Sequence, residues 1–161
     1  MPLKLKGRYS TGGSVEGEFE PGSSNRVLKN LLSIKQKREI DIVETSAYDD
    51  ATIKMIKMYD RNYRFTSTDI SKMHKIWLGH IYVWAGEYRN VNMSKSGFQF
   101  ASAHLLPKLM VEFEKDILFK YTPCQFSDLD EVINAIAIVH TEFILIHPFR
   151  EGNGRFARLL S

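Results

Sequence analysis

Apolar residues in three stretches of this chain recur at intervals of three and four, a spacing that lines one face of an α-helix and does not suit a strand. Ile70, Met73, Trp77, Ile81 and Trp84 form one stripe, and Leu106, Leu109, Phe113 and Ile117 a second. Val132, Ile136, Val139, Phe143 and Ile146 form the third. Each follows a start signal. Thr66-Ser67-Thr68-Asp69 offers a hydroxyl cap with an acidic residue in the first turn, Ser102 precedes the second helix, and Ser127-Asp128 the third. Pro107 falls early enough in its helix to be tolerated. Upstream, helical patterning is expected from Val27 through VLKNLLSI. It continues to Tyr59 with Ile42, Val43, Ala47, Ala51, Met55 and Met58 at helical spacing, enough for one or two helices. Residues 1–25, rich in Gly, Ser and acidic residues, read as an irregular arm. The expected fold over 26–161 is an all-α bundle.

One segment breaks the helical rhythm. From Val91 to Phe100 apolar and polar residues alternate on either side of Ser96-Gly97, the signal of a short β-hairpin. A lone hairpin cannot serve as a core element, so it is expected as an exposed flap spanning Lys95, Ser96, Gly97, Phe98, Gln99 and Phe100.

At 161 residues the chain fits one domain able to bury a core without metal or disulfide support. A net charge of +3 is too small and too dispersed for a nucleic-acid-binding surface, and the Lys35-Gln36-Lys37-Arg38 patch reads as a solvated helix face. Cys124 is the only cysteine, which precludes an internal disulfide and suits a reducing, cytoplasmic compartment. No apolar run matches a signal peptide or a membrane span, so no membrane partner is expected.

The chemistry concentrates between Ile146 and Leu160. A residue before proline is pushed out of the helical region, so the third helix should end at His147, ahead of Pro148. A further helix should start near Gly152-Asn153-Gly154. A glycine-rich helix start presents unpaired N–H groups and the positive end of the helix dipole to an anion, and glycine lets phosphate approach closely. Arg155 and Arg158 lie three apart, on one face, as a fork suited to a polyphosphate. Glu151 is a hard oxygen ligand suited to Mg²⁺ bridging phosphates. His147 stands at the other end of the loop, and imidazole, whose ordinary pKa is near neutrality, can accept a proton from an attacking hydroxyl. Phe149 reads as a structural anchor. His140 and His147 share a helix face, but zinc chemistry lacks a third ligand. His74, His80 and His104 read as packing or surface residues, and Trp77 and Trp84 as core.

The stretch His147-Pro148-Phe149-Arg150-Glu151-Gly152-Asn153-Gly154-Arg155-Phe156-Ala157-Arg158 resembles the motif of the Fic family, His-x-Phe-x-Asp/Glu-Gly-Asn-Gly-Arg-x-x-Arg, at every defined position. The EPGSSNRVLKN and WLGHIYVWAGEYRNVNMSKSGFQFA stretches are similar to the short single-domain Fic proteins of bacteria. The resemblance implies a Fic-type helical bundle with one hairpin flap. It implies transfer of AMP from ATP, with Mg²⁺, onto a hydroxyl side chain (Tyr, Thr or Ser) of a target protein. His147 would act as base and Glu151 would hold the metal. Asn153 with the amides of Gly152 and Gly154 would stabilise the α-phosphate, Arg155 and Arg158 would orient the β- and γ-phosphates, and the flap would position the target by strand addition.

Two alternatives stand beside AMP transfer. One is another phosphate-ester reaction of the same superfamily: phosphorylation, UMP transfer or removal of AMP. Doc-type kinases carry Ala and Lys where this chain has Gly152 and Gly154, which favours AMP. The other is a non-catalytic nucleotide sensor, which would have no use for His147 and Glu151. Fic proteins are commonly silenced by a Ser/Thr-x-x-x-Glu-Gly/Asn helix whose glutamate would pair here with Arg158. No such motif is present, since Ser14-x-x-x-Glu18 is followed by Phe19. The last helix reads as cut short at Ser161, so the inhibitory helix is expected either in a continuation of the chain or on a separate partner. Loss of autoinhibition would permit self-modification.

Overall fold

A computed structural model describes residues 17–161, so most of the expected N-terminal arm lies outside the described residues. Six α-helices and one hairpin follow: α1 Lys37–Met58, α2 Ser67–Leu78, β1 Ser94–Lys95, β2 Phe98–Gln99, α3 Leu106–Glu112, α4 Phe119–Tyr121, α5 Leu129–Ile146 and α6 Asn153–Leu160. Helix α1 packs along α2, and α5 along α6. One continuous core joins them through Ile40, Ala51, Ile70, Trp77, Leu106, Met110, Phe143, Phe149 and Phe156.

The VLKNLLSI segment is not helical. Asn30 organises it instead: its side-chain amide donates to the carbonyls of Leu28 and Ile34 at 3.0 and 2.9 Å, and its oxygen accepts from the N–H groups of Leu32 and Ile34. An amide side chain that satisfies local backbone groups competes with a helix for them. Helix α1 begins only at Lys37. Its buried face is Ile40, Glu44, Ala47, Ala51 and Met55, while Ile42 and Met58, expected inward, are exposed.

Helix α2 starts as expected. Thr66 Oγ1 accepts from Asp69 N–H, and the Asp69 carboxylate accepts from Thr66 N–H, closing a capping box. The helix ends at Leu78, yet Ile81 and Trp84 stay buried in the turns that follow. Between α3 and α4 the residues Phe113–Leu118 form a π-helical turn. Its extra residue moves the buried position from Ile117, expected from regular spacing, to Leu118. Asp128 caps α5 by accepting from Glu131 N–H. Ala135 takes the buried position that was expected at Ile136.

The hairpin pairs Ser94 with Gln99 and Lys95 with Phe98. Ser96 and Gly97 both adopt positive φ, 50° and 86°, as a two-residue hairpin turn requires. The tip, Lys95 to Gln99, is exposed, and Val91, Met93 and Phe100 form a small cluster at its base.

Candidate active site

Helix α5 stops at Ile146, as Pro148 dictates, and His147 takes up a left-handed conformation at φ 53° with its N–H still donating to Phe143 O. This throws the imidazole off the helix axis into a pocket where only 4% of the residue is exposed. The Phe100 ring at the base of the flap stacks on it, 3.8 Å between centroids and 16° from parallel. His147 Nδ1 lies 3.3 Å from the carbonyl of Ile144. A carbonyl only accepts, so Nδ1 carries a hydrogen, and in the neutral form of the ring the lone pair is on Nε2.

The loop beyond is fixed from inside. Phe149 is fully buried, its ring nearly parallel to that of His74 at 3.8 Å and edge-on to Phe156 at 5.7 Å. His74 was expected as packing, and it does more. Gly86 N–H donates to its Nδ1 at 2.9 Å, which leaves Nε2 to donate to the backbone carbonyl of Glu151 at 3.1 Å. Burial pulls its pKa down to about 4, so it is neutral at ordinary pH.

Asn153 also has a structural part, which the sequence did not suggest. Its side chain is buried, accepting from Phe149 N–H at 2.9 Å and donating to Phe149 O at 2.7 Å. Both ends of the amide are thus engaged in closing the loop. Gly152 N–H is also committed, to Glu151 Oε1 at 2.9 Å. The groups this leaves facing outward at the helix start are the first-turn amides of α6, from Asn153, Gly154 and Arg155. These come before the first bond of that helix, Phe156 N–H to Gly152 O.

The two glycines of the loop differ. At Gly152 (φ 83°) an added Cβ would lie 2.6 Å from Trp77, so the protein itself excludes a side chain. At Gly154 an added Cβ would meet nothing within 4 Å.

The arginines do not form a free fork. Arg155 donates to Glu44 Oε2 of α1 at 2.6 Å, lies 3.8 Å from Glu151 and covers the Trp77 ring at 4.7 Å. Glu44 also accepts from Tyr82 Oη at 2.6 Å through its other oxygen. Burial and this carboxylate raise the Tyr82 pKa strongly. Arg158 is exposed. Glu44 was missed because a glutamate amid helical spacing reads as solvent-facing. The chance of finding it lay in its three- and four-residue separations from Ala47 and Ile40.

Arg89 was also missed. It is 2% exposed, and its guanidinium donates to the carbonyls of Val91, Ala101, Ile146 and His147. Glu151 is the loop's only carboxylate. No group of three or more His, Cys, Asp or Glu gathers as a metal cage among the described residues. One carboxylate beside a helix start fits a cation only where its other ligands are phosphates and water.

A histidine at a helix C-terminus, a loop closed by buried aromatics and asparagine, and the start of a short helix thus meet at one end of a mostly helical fold with a single hairpin. The model of the Fic/DOC family matches residues 64–161, well over half the sequence, and the chain belongs to that family. It is similar to the protein adenylyltransferase VbhT of Bartonella schoenbuchensis, 30% identical over 154 residues, covering 89% of this chain and 30% of that protein. The protein adenylyltransferase Fic of Drosophila ananassae is 32% identical over 153 residues, covering 94% of this chain and 30% of its own. The chain thus spans about 30% of the length of these curated relatives. Among solved structures, the N-terminal Fic domain of a Bartonella effector protein (Bartonella sp. AR 15-3) superposes with a TM-score of 0.72. It has 21% identity, over 88% of this chain and 68% of that one. The BepC protein of Bartonella tribocorum with bound AMPPNP gives 0.68 at 21% identity, over 82% and 69%. At these identities the structures establish the shared fold.

Proposed function

We propose that the chain transfers AMP from ATP to a hydroxyl side chain of a target protein. The observation that carries the reading is Gly154. A glycine sits in a helical first turn, where it costs about 0.5–1 kcal/mol against alanine, although nothing in the protein crowds a side chain there. Space kept clear beside open first-turn amides suits an approaching phosphate.

The target hydroxyl would lose its proton to His147 Nε2 as its oxygen bonds to the α-phosphorus. The bond from that phosphorus to the bridging oxygen breaks, and pyrophosphate leaves. Amides of Asn153 to Arg155 would stabilise charge gathering on the α-phosphate oxygens. Arg158, exposed at the second turn, would reach the outer phosphates, joined by Arg155 if nucleotide draws it from Glu44. Glu151 would hold Mg²⁺, which supplies charge neutralisation to the phosphates when bound. The exposed edge of the hairpin would align an extended target segment. The adenylyltransferase names of the relatives support this reading, and the lone, exposed Cys124 suits action in a reducing cytoplasm.

The test is incubation with ATP labelled at the α- or γ-phosphate, Mg²⁺ and a cell lysate. Protein bands should take up α-label and not γ-label, and His147→Ala should abolish uptake while nucleotide binding persists. Uptake of γ-label would replace AMP transfer with phosphorylation.

A further inference from the structure

The arginine that tethers the flap to the base is the molecule's least expected feature. Arg89 lies between α2 and the hairpin, outside the motif. Its Nε–H donates to His147 O at 2.7 Å. One terminal nitrogen donates to Val91 O at 2.6 Å, where the chain enters the hairpin. The other donates to Ala101 O at 2.6 Å, where the chain leaves it, and lies 3.4 Å from Ile146 O. Its own backbone N–H donates to Pro148 O at 2.9 Å. One rigid planar group therefore holds both feet of the flap and the two residues that straddle the end of α5. Phe100, stacked on the imidazole, is the residue just before Ala101.

We propose that Arg89 is a positioning residue: it fixes the distance between the hairpin and the His147 ring, and thereby the register in which a target hydroxyl meets the base. This rests on the transfer reading above. The fork geometry matters because four carbonyls on three segments need donors in fixed directions. A lysine ammonium, a point charge on a flexible stem, cannot hold all of them at once. The hairpin has only two residues per strand and little core of its own, so its placement depends on this tether. The groups proposed above to meet the nucleotide, the first-turn amides of α6 and Arg158, are not among the partners of Arg89's bonds.

The experiment compares the wild-type protein with Arg89→Lys and Arg89→Met. Hydrogen exchange should accelerate in residues 91–101 and 144–150 of Arg89→Lys, with residues 67–78 unchanged, since local opening follows the bonds lost. AMP transfer to a protein target should fall about tenfold to a hundredfold, the scale of a small misplacement at a reacting centre. The KM for ATP should stay within about threefold. Arg89→Met should be worse than Arg89→Lys in every readout, and if it fails to fold the lysine variant decides alone. Exchange that accelerates uniformly across the chain, or a loss confined to ATP affinity, overturns the proposal. So does wild-type exchange in the hairpin of Arg89→Lys. The exchange measurement needs no turnover. Absence of AMP transfer in the wild-type protein would thus refute the transfer reading and leave the tether to be judged by its own result.

Discussion

Replacing Gly152 with alanine would place a Cβ 2.6 Å from Cζ3 and 2.7 Å from Cη2 of Trp77. The indole has nowhere to go. It is fully buried, its Nε1–H donates to Glu44 O at 2.9 Å, Tyr48 packs edge-on at 5.1 Å, and Arg155 covers its face at 4.7 Å. Two costs add. A Cβ at φ 83° brings left-handed strain of about 1–2 kcal/mol, and forcing extra volume into a packed core costs about 1–3 kcal/mol. The sum, about 3 kcal/mol, is a large part of a stability of about 5–15 kcal/mol. Urea unfolding followed by circular dichroism would register it as a midpoint lower by about 1–2 M. A double-mutant cycle with Trp77→Phe separates the parts, because the shorter ring withdraws the clashing atoms and leaves the strain. In that background Gly152→Ala should cost only about 1–2 kcal/mol. A loss well under about 1 kcal/mol in the wild-type background would refute the strain argument. Equal losses in both backgrounds would refute Trp77 as the obstacle.

Gly154→Ala should behave oppositely: unfolding shows a gain of up to about 1 kcal/mol, while calorimetry shows weaker ATP binding. His74 sets a pH dependence. Its folded pKa of about 4 lies below the ordinary 6.5, so the unfolded chain takes up the proton first. Stability should be complete above pH 6.5 and fall by about 3 kcal/mol toward pH 4, and His74→Asn should flatten this slope in urea titrations.

Much of the architecture could be read from short-range chemistry. Pro148 marked the end of α5, Thr66 and Asp69 the start of α2, and Ser96-Gly97 the hairpin turn, because each acts on its immediate neighbours. What escaped depends on distant partners. Asn30 cancels a helix through side-chain bonds that spacing does not reveal. The π-helical turn at 113–118 shifts the buried stripe without altering the apolar composition. Glu44 and Arg89 are charged residues inside the protein because carboxylate, guanidinium and carbonyl partners arrive from far along the chain. Asn153 lies within the recognisable motif, yet its closest bonds are to Phe149, four residues back.

The pairing of Glu44 with Arg155 has a bearing on where the domain can be cut. Residue 44 falls ahead of the stretch matched by the Fic/DOC model, which begins at residue 64. A fragment excised at that boundary would keep the whole motif and lose α1, stripping Arg155 of its carboxylate and baring the indole beneath it. Chimeras joined there would inherit whatever residue the donor supplies opposite the guanidinium, so the helix ahead of the recognised domain belongs in any minimal unit.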